Sequence, residues 1–238
     1  MLPPEHETTP PMIVAIDGPA GAGKSTVAKG VALKLGFAYL DSGALYRAVA
    51  WKALETGTDP TSSAAMKRLL EGTRLRVSST KVGGLVVEVD SRILTEEIRT
   101  PDVSQAASQV AALPEVRAWL MPVQRDFGKQ EGLEGIVAEG RDMGTRVFPD
   151  APVKFFLNAT PAERARRRHE ERRVAGQAGG LSEIRRELET RDRRDQAREI
   201  APLVPAVDAI VIDTTTLSLD QVVERILKAT KAKAAALR

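Results

Sequence analysis

The run Gly18-Pro19-Ala20-Gly21-Ala22-Gly23-Lys24-Ser25-Thr26 contains the order Gly-x4-Gly-Lys-Ser. Glycine lets successive backbone N–H groups turn inward, in conformations that a side chain would obstruct, and inward N–H groups bind phosphate oxygens. A lysine in this position reaches the β- and γ-phosphates of a nucleoside triphosphate, and the hydroxyl after it ligates Mg²⁺. Every residue from Gly18 to Thr26 is therefore a candidate for the triphosphate site, with Lys24 reaching the reacting phosphates and Ser25 the metal ion. The pattern carries this meaning only between a strand and a helix. Both are expected: Met12 to Asp17 is a short apolar run, and Lys24 to Leu35 places Val27, Val31 and Leu35 on one helical face before Gly36 closes it.

A second concentration of chemistry lies between Arg164 and Arg198, where arginine is gathered instead of spread along a stripe. Clustered guanidinium groups suit a compact polyphosphate. Arg191, Asp195 and Arg198 are spaced i, i+4, i+7, so a continuous helix projects all three from one face. The first two also have the spacing of an exposed ion pair. Arg164, Arg166, Arg167 and Arg168 read mostly as a solvated helix face, some of them belonging to a lid. His169 reads as surface, and His6 lies in the N-terminal lead-in. No general base stands out, and phosphoryl transfer, which rests mainly on positioning and charge neutralisation, does not require one.

These residues need a scaffold of alternating strands and helices. Phe37 to Leu40 reads as a second strand, and Asp41-Ser42 caps a helix from Ala44 to about Glu55. Arg74 to Leu94 alternates apolar and polar residues around Lys81-Val82-Gly83-Gly84, a hairpin pattern. Helices are expected at Val103 to Ala111, Pro114 to Gly128, Pro161 onward, Leu181 to Arg198 and Ser218 to about Lys228. A flexible loop is expected at Gly176 to Gly180, and further strands at Gly135 to Ala138, Val153 to Leu157 and Ala209 to Asp213. The order implies an α/β core with a mostly parallel sheet covered by helices on both faces.

Composition narrows the classes. Of 238 residues, 42% are hydrophobic and 28% charged, and cysteine is absent, which excludes disulfides and thiolate metal sites. Met1 to Pro11 is polar and proline-rich, read as a disordered lead-in, and no apolar run approaches the length of a membrane span. The net charge of +3 would permit nucleic-acid binding, but two Trp and two Tyr offer few stacking platforms.

Four segments then carry a resemblance: Asp41-Ser42-Gly43-Ala44-Leu45-Tyr46-Arg47, Ala106-Ala107-Ser108-Gln109-Val110-Ala111, Gly140-Arg141-Asp142-Met143-Gly144-Thr145 and Arg191-Asp192-x-x-Asp195-x-x-Arg198. With the glycine loop, the chain resembles the bacterial cytidylate kinases from about Ile13 to about Leu227. The resemblance implies ATP-dependent phosphorylation of CMP or dCMP, with Mg²⁺ brought by ATP. It implies a P-loop kinase core over residues 12–69 and 106–238, a small α+β insertion at 70–105 that binds the nucleoside monophosphate, and a lid near 164–185. Ser108, Arg117 and Asp142 fall where the family reads the cytosine edge, and Arg47 and Arg141 where it clamps the acceptor phosphate beside Ser42 and Tyr46. Arg191 and Asp195 fall near ribose and phosphate. Arg198 falls at the transferring phosphoryl group, with Lys24 and Arg191 as the other catalytic candidates. Glu139 stands where the family often has aspartate; it suits either the hydration shell of Mg²⁺ or an anchor for the loop or Arg141. A cytoplasmic monomer, bound to neither nucleic acid nor membrane, is the expectation. The competing readings are a kinase for another small acceptor, such as UMP, and an NTP-dependent regulatory or nucleic-acid-binding protein.

Overall fold

In the computed structural model, which describes residues 11–80, 84–130, 132–174, 176, 179–198 and 200–236, the strand ends converge on one edge of a parallel sheet. That sheet runs in the order β2 (Ala38–Asp41), β6 (Gly135–Gly140), β1 (Met12–Asp17), β7 (Val153–Asn158), β8 (Ile210–Asp213). Every neighbouring pair is parallel. Side chains alternate between its faces, and the sequence alternation sorts them into two cores. Val14, Ile16, Tyr39, Val137, Phe155 and Leu157 face α1 (Lys24–Leu35) and α8 (Leu219–Ala236). Ala15, Leu40, Ile136 and Ala138 face α2 (Ser42–Glu55), α4 (Pro101–Val110) and α5 (Pro114–Phe127). Helices thus cover both faces, as expected.

A helix not anticipated from sequence, α3 (Ser63–Glu71), leads into a second, antiparallel sheet of β3 (Leu75–Ser79), β4 (Leu85–Val89) and β5 (Arg92–Leu94). Its inner residues Val87, Val89 and Leu94 join the core that contains α2 and α4. The boundary expected at residue 105 falls inside α4, which runs unbroken from Pro101 to Val110 and packs along α2. Lys81 to Gly83 at the hairpin turn, the lead-in over residues 1–10, and part of the 176–180 loop lie outside the described residues.

The arginine-rich segment forms two packed helices, α6 (Pro161–Val174) and α7 (Leu181–Gln196). Here one expectation is corrected. α7 ends at Gln196 with Ala197 as its cap, so Arg198 is not on the helix and shares no helical face with Arg191 and Asp195. The chain instead turns back beyond the cap: Leu203 N–H donates to the Asp195 carbonyl at 2.9 Å. Ala201 in that turn has φ 55, a left-handed value that a side chain resists.

Candidate active site

Parallel strands put all their C-terminal ends at one edge, and ligands of such sheets bind there. At this edge β1 ends in the glycine loop, β2 in Asp41, and β6 in Gly140-Arg141-Asp142. A cleft of about 360 Å³ joins them, lined by the loop, by Arg47, by Ser108 and Arg117, and by α7.

The glycine loop is formed as its sequence requires. Gly18 has φ 148, and a Cβ there would lie 2.0 Å from the Leu157 carbonyl oxygen, so no other residue fits against β7. Lys24 is buried, and its Nζ donates to the Pro19 carbonyl at 2.9 Å. Burial, then Arg141 and Arg191, push the Lys24 ammonium down to about 7, against the pull of Glu139 and Asp17. Ser25 and Thr26 are exposed at the mouth.

Asp17, which sequence reasoning passed over, joins this loop to the Gly140–Thr145 segment. Its carboxylate accepts the Met143 N–H at 2.8 Å and the Gly144 N–H at 2.7 Å. Those donors open a single wide turn of π-helix, Met143–Val147, that begins beside Asp142. Burial raises the Asp17 carboxyl to about 6, although both N–H groups favour its charged form.

On the far side of the cleft, Arg117 and Asp142 form a buried ion pair, 5% and 4% exposed. Arg117 also donates to the Ala111 carbonyl at 3.1 Å and lies 5.6 Å from the Tyr46 ring centre. Tyr46 therefore sits beside this pair. The Ser108 hydroxyl is buried with no hydrogen-bond partner among the described residues, a state that normally costs stability unless a ligand or water completes it. Ser42 is committed differently: its hydroxyl donates to Gln124 on α5 at 2.7 Å.

Between the two ends lie the arginines. Asp41 caps α2 through the Ala44 N–H at 2.9 Å and holds Arg47 at 2.8 Å. Asp195 binds Arg141 at 2.9 Å and also pairs with Arg198. Burial alone would favour the neutral acid, but Arg141, Arg198 and Arg191 hold the Asp195 carboxyl below its ordinary range. Arg191 is not paired in this way. Among the described residues no carboxylate lies within ion-pair distance of it, and its Nε is buried without a partner. Burial and the neighbouring Arg141 push its guanidinium down to about 10. The site thus holds more positive charge than its carboxylates neutralise, and an anion would complete it.

The Arg164–Arg168 run is mostly not the solvated face expected. Arg166 is exposed, but Arg164 is buried and Arg167 reaches Thr214, behind the glycine loop. No sequence signal separates these arginines from their neighbours; only the packing of α6 does.

A glycine loop on a parallel sheet, opposed by a separate cluster of arginines, defines a P-loop phosphotransferase. Residues 14–232 match the family model described as Cytidylate kinase. A cytidylate kinase from Stutzerimonas stutzeri is 48% identical over 219 residues, covering 92% of this chain and 94% of that protein. One from Desulfitobacterium hafniense is 47% identical, covering 90% of each. A bifunctional pantoate ligase/cytidylate kinase from Synechococcus sp. is 49% identical, and there the chain spans only 43% of the relative's length. The chain belongs to the cytidylate kinase family.

Proposed function

We propose that the protein transfers the γ-phosphoryl group of Mg-ATP to CMP or dCMP, giving ADP and CDP or dCDP. The observation that carries this reading is the cleft itself, in which a triphosphate loop faces a buried guanidinium–carboxylate pair beside an uncommitted serine hydroxyl. Cytosine offers an exocyclic amine donor and O2 and N3 acceptors. Asp142 accepts from that amine, while Arg117 and Ser108 supply donors. Uracil would set O4 against the Asp142 carboxylate, and a site left with that bond unmade rejects the wrong base. Among the described residues no helix is long and apolar enough to cross a membrane.

In the reaction an acceptor-phosphate oxygen attacks the γ-phosphorus while its bond to the bridging β–γ oxygen breaks, and ADP leaves. Gly18 to Thr26 hold the triphosphate. Arg47 and Arg141 clamp the acceptor phosphate, with Ser42 and Tyr46 shaping the wall around it, and Asp195 holds Arg141 and Arg198 in register. Lys24, Arg191 and Arg198 neutralise the charge on the transferring group. The residues present fit a hard divalent cation. The Ser25 hydroxyl is exposed at the loop, and burial raises the nearby Glu139 carboxyl, with Asp41 adding to the shift. Ser25 would hold Mg²⁺, with Glu139 toward its water shell, and the ion would neutralise the β- and γ-phosphates. Residues 70–105 with the remainder of α4 form the monophosphate-binding insertion, and the 164–185 region serves as the lid.

The first test measures ADP release with Mg-ATP and CMP, dCMP, UMP, AMP or no acceptor. Turnover confined to the cytidine nucleotides is expected. Equal release without an acceptor, or none with any acceptor, would overturn the reading.

Lys24 adds a pH prediction. Its neighbours are Asp17 from β1, the Pro19 carbonyl, Glu139 from β6, Arg141 just after that strand, and Arg191 from α7. In the free protein it loses its proton as pH rises through about 7, and a bound polyphosphate restores it. Affinity for the non-hydrolysable ATP analogue AMP-PNP is therefore full below that pH and declines above it. Calorimetry at pH 8 in buffers of different ionisation enthalpy should register proton uptake on binding, and Lys24→Arg should abolish it. Binding heats independent of the buffer would refute this linkage.

A further inference from the structure

A loop whose N–H groups turn inward must turn its carbonyl groups outward, and those carbonyls need donors of their own. The Ala20 carbonyl accepts from Arg164 Nη1 at 3.2 Å. The Thr214 hydroxyl lies 3.3 Å from the Ala22 carbonyl and 3.0 Å from the Asn158 carbonyl, and its single proton serves one or the other. Thr214 is itself held by Arg167 at 2.9 Å. Arg164 and Arg167 are spaced i, i+3, so one face of α6 serves the outer side of the loop.

Arg164 has a further connection. The residue is 7% exposed, donates through Nε to the Ala159 carbonyl at 3.1 Å, and forms a buried ion pair with Asp192 of α7. Ala20, Ala165, Ile184 and Leu188 make a small apolar cluster around this junction. Asp192 precedes no gap in the helix: its neighbour in sequence is Arg191, and successive helical residues point about 100° apart. Asp192 thus faces the back of the loop, while Arg191 just before it faces the cleft. The placement of Arg191, and of Asp195 a turn later, depends on where Asp192 is held.

We infer that Arg164 and Asp192 are positioning residues for phosphoryl transfer, linking the outer side of the triphosphate loop to the helix that carries Arg191. Neither touches the reacting groups. Arg164 fixes the Ala20 peptide so that its neighbours' N–H groups stay directed at phosphate, and Asp192 fixes α7 relative to that loop. A nonpolar contact would allow the helix to slide by a fraction of an ångström; a bonded ion pair in a small cluster does not. Misplacement of that size, remote from the chemistry, costs up to about a hundredfold in rate.

The inference rests on the kinase reading above, and kinetics of the full-length chain with CMP and Mg-ATP test both. Wild-type protein with no CMP-dependent turnover would sink that reading, and this one with it. Given wild-type turnover, Asp192→Asn should lower kcat roughly ten- to hundredfold. Its KM for ATP should change little, because Arg164 still holds Ala20. Arg164→Met should lower kcat and also raise KM for ATP, and Arg164→Lys should recover part of the loss through a single donor. Assays run below each variant's melting temperature separate placement from folding, and Arg194→Met, at an exposed position of α7 outside the cleft and the lid, controls for lost charge. If Asp192→Asn melts lower yet keeps wild-type kcat, the pair is only structural and the inference is overturned. Should Asp192→Asn not fold, the same kcat criterion applied to Arg164→Lys against wild type decides: an unchanged kcat and KM overturns it.

Discussion

Arg191→Ala is expected to lower kcat by about 10³–10⁵-fold, the range for an arginine that neutralises a transferring phosphoryl group, without lowering the melting temperature. Most buried arginines behave oppositely, because removing them strands a carboxylate. Arg191 strands none among the described residues: Asp195 keeps both Arg141 and Arg198. What the substitution removes is a guanidinium pressed by burial and by Arg141, with Asp195 offsetting part of that pressure. A bound phosphate would offset the rest. Stability given up to keep a binding group ready is a recurrent cost of active sites. Arg198→Ala offers the contrast. It too should slow turnover far more than it affects stability, because Asp195 keeps Arg141. It should not, however, stabilise the fold, since it removes a favourable ion pair. The two measurements are steady-state kcat and thermal melting without nucleotide. An Arg191→Ala protein that melts well below wild type, or turns over normally, would remove the assignment.

Asp142→Asn should cut the preference for CMP over UMP by about ten- to hundredfold, the worth of one hydrogen bond to a charged group. The amide can donate to uracil O4 where the carboxylate could only repel it. The fold should also suffer: breaking a buried ion pair from one side costs about 3–5 kcal/mol, since Arg117 would remain charged and unpaired. Both partners are buried, so the substitution reaches the fold as well as the base selectivity. Comparing kcat/KM for CMP and UMP, beside a denaturant melt, tests the two parts separately. Unchanged base discrimination in a destabilised variant would leave Asp142 a structural partner of Arg117 and nothing more.

Much of the scaffold was legible because its rules are local. The helix after the glycine loop begins at Lys24 and ends at Leu35 with Gly36 in a left-handed conformation, as the apolar spacing and the glycine dictate. Asp41 caps α2 through a bond three residues ahead. The sheet's alternation assigns each strand residue to a face before any tertiary contact is known. Two local readings failed for equally physical reasons. Periodicity could carry α7 through Arg198, but the return of the chain to the Asp195 carbonyl stops it at Gln196. The helix Ser63–Glu71 lies in a stretch whose start signal, Ser62 accepting the Ala65 N–H at 3.3 Å, is a single serine among several.

Residue order alone puts a triphosphate loop between a buried strand and a helix, and an excess of arginine far along the chain. How those charges are shared follows from the packing. Asp17 reaches Met143 and Gly144, Arg117 pairs with Asp142, Arg164 with Asp192, and Asp195 serves two arginines while Arg191 has none of its own among the described residues. Helix and strand patterns follow from neighbours a few residues apart, which any single sequence records. Ion pairing inside a cleft follows from which strand ends lie side by side and how deeply each is buried. The order β2-β6-β1-β7-β8 set that arrangement, because it brought the ends of β1, β2 and β6 together around one space.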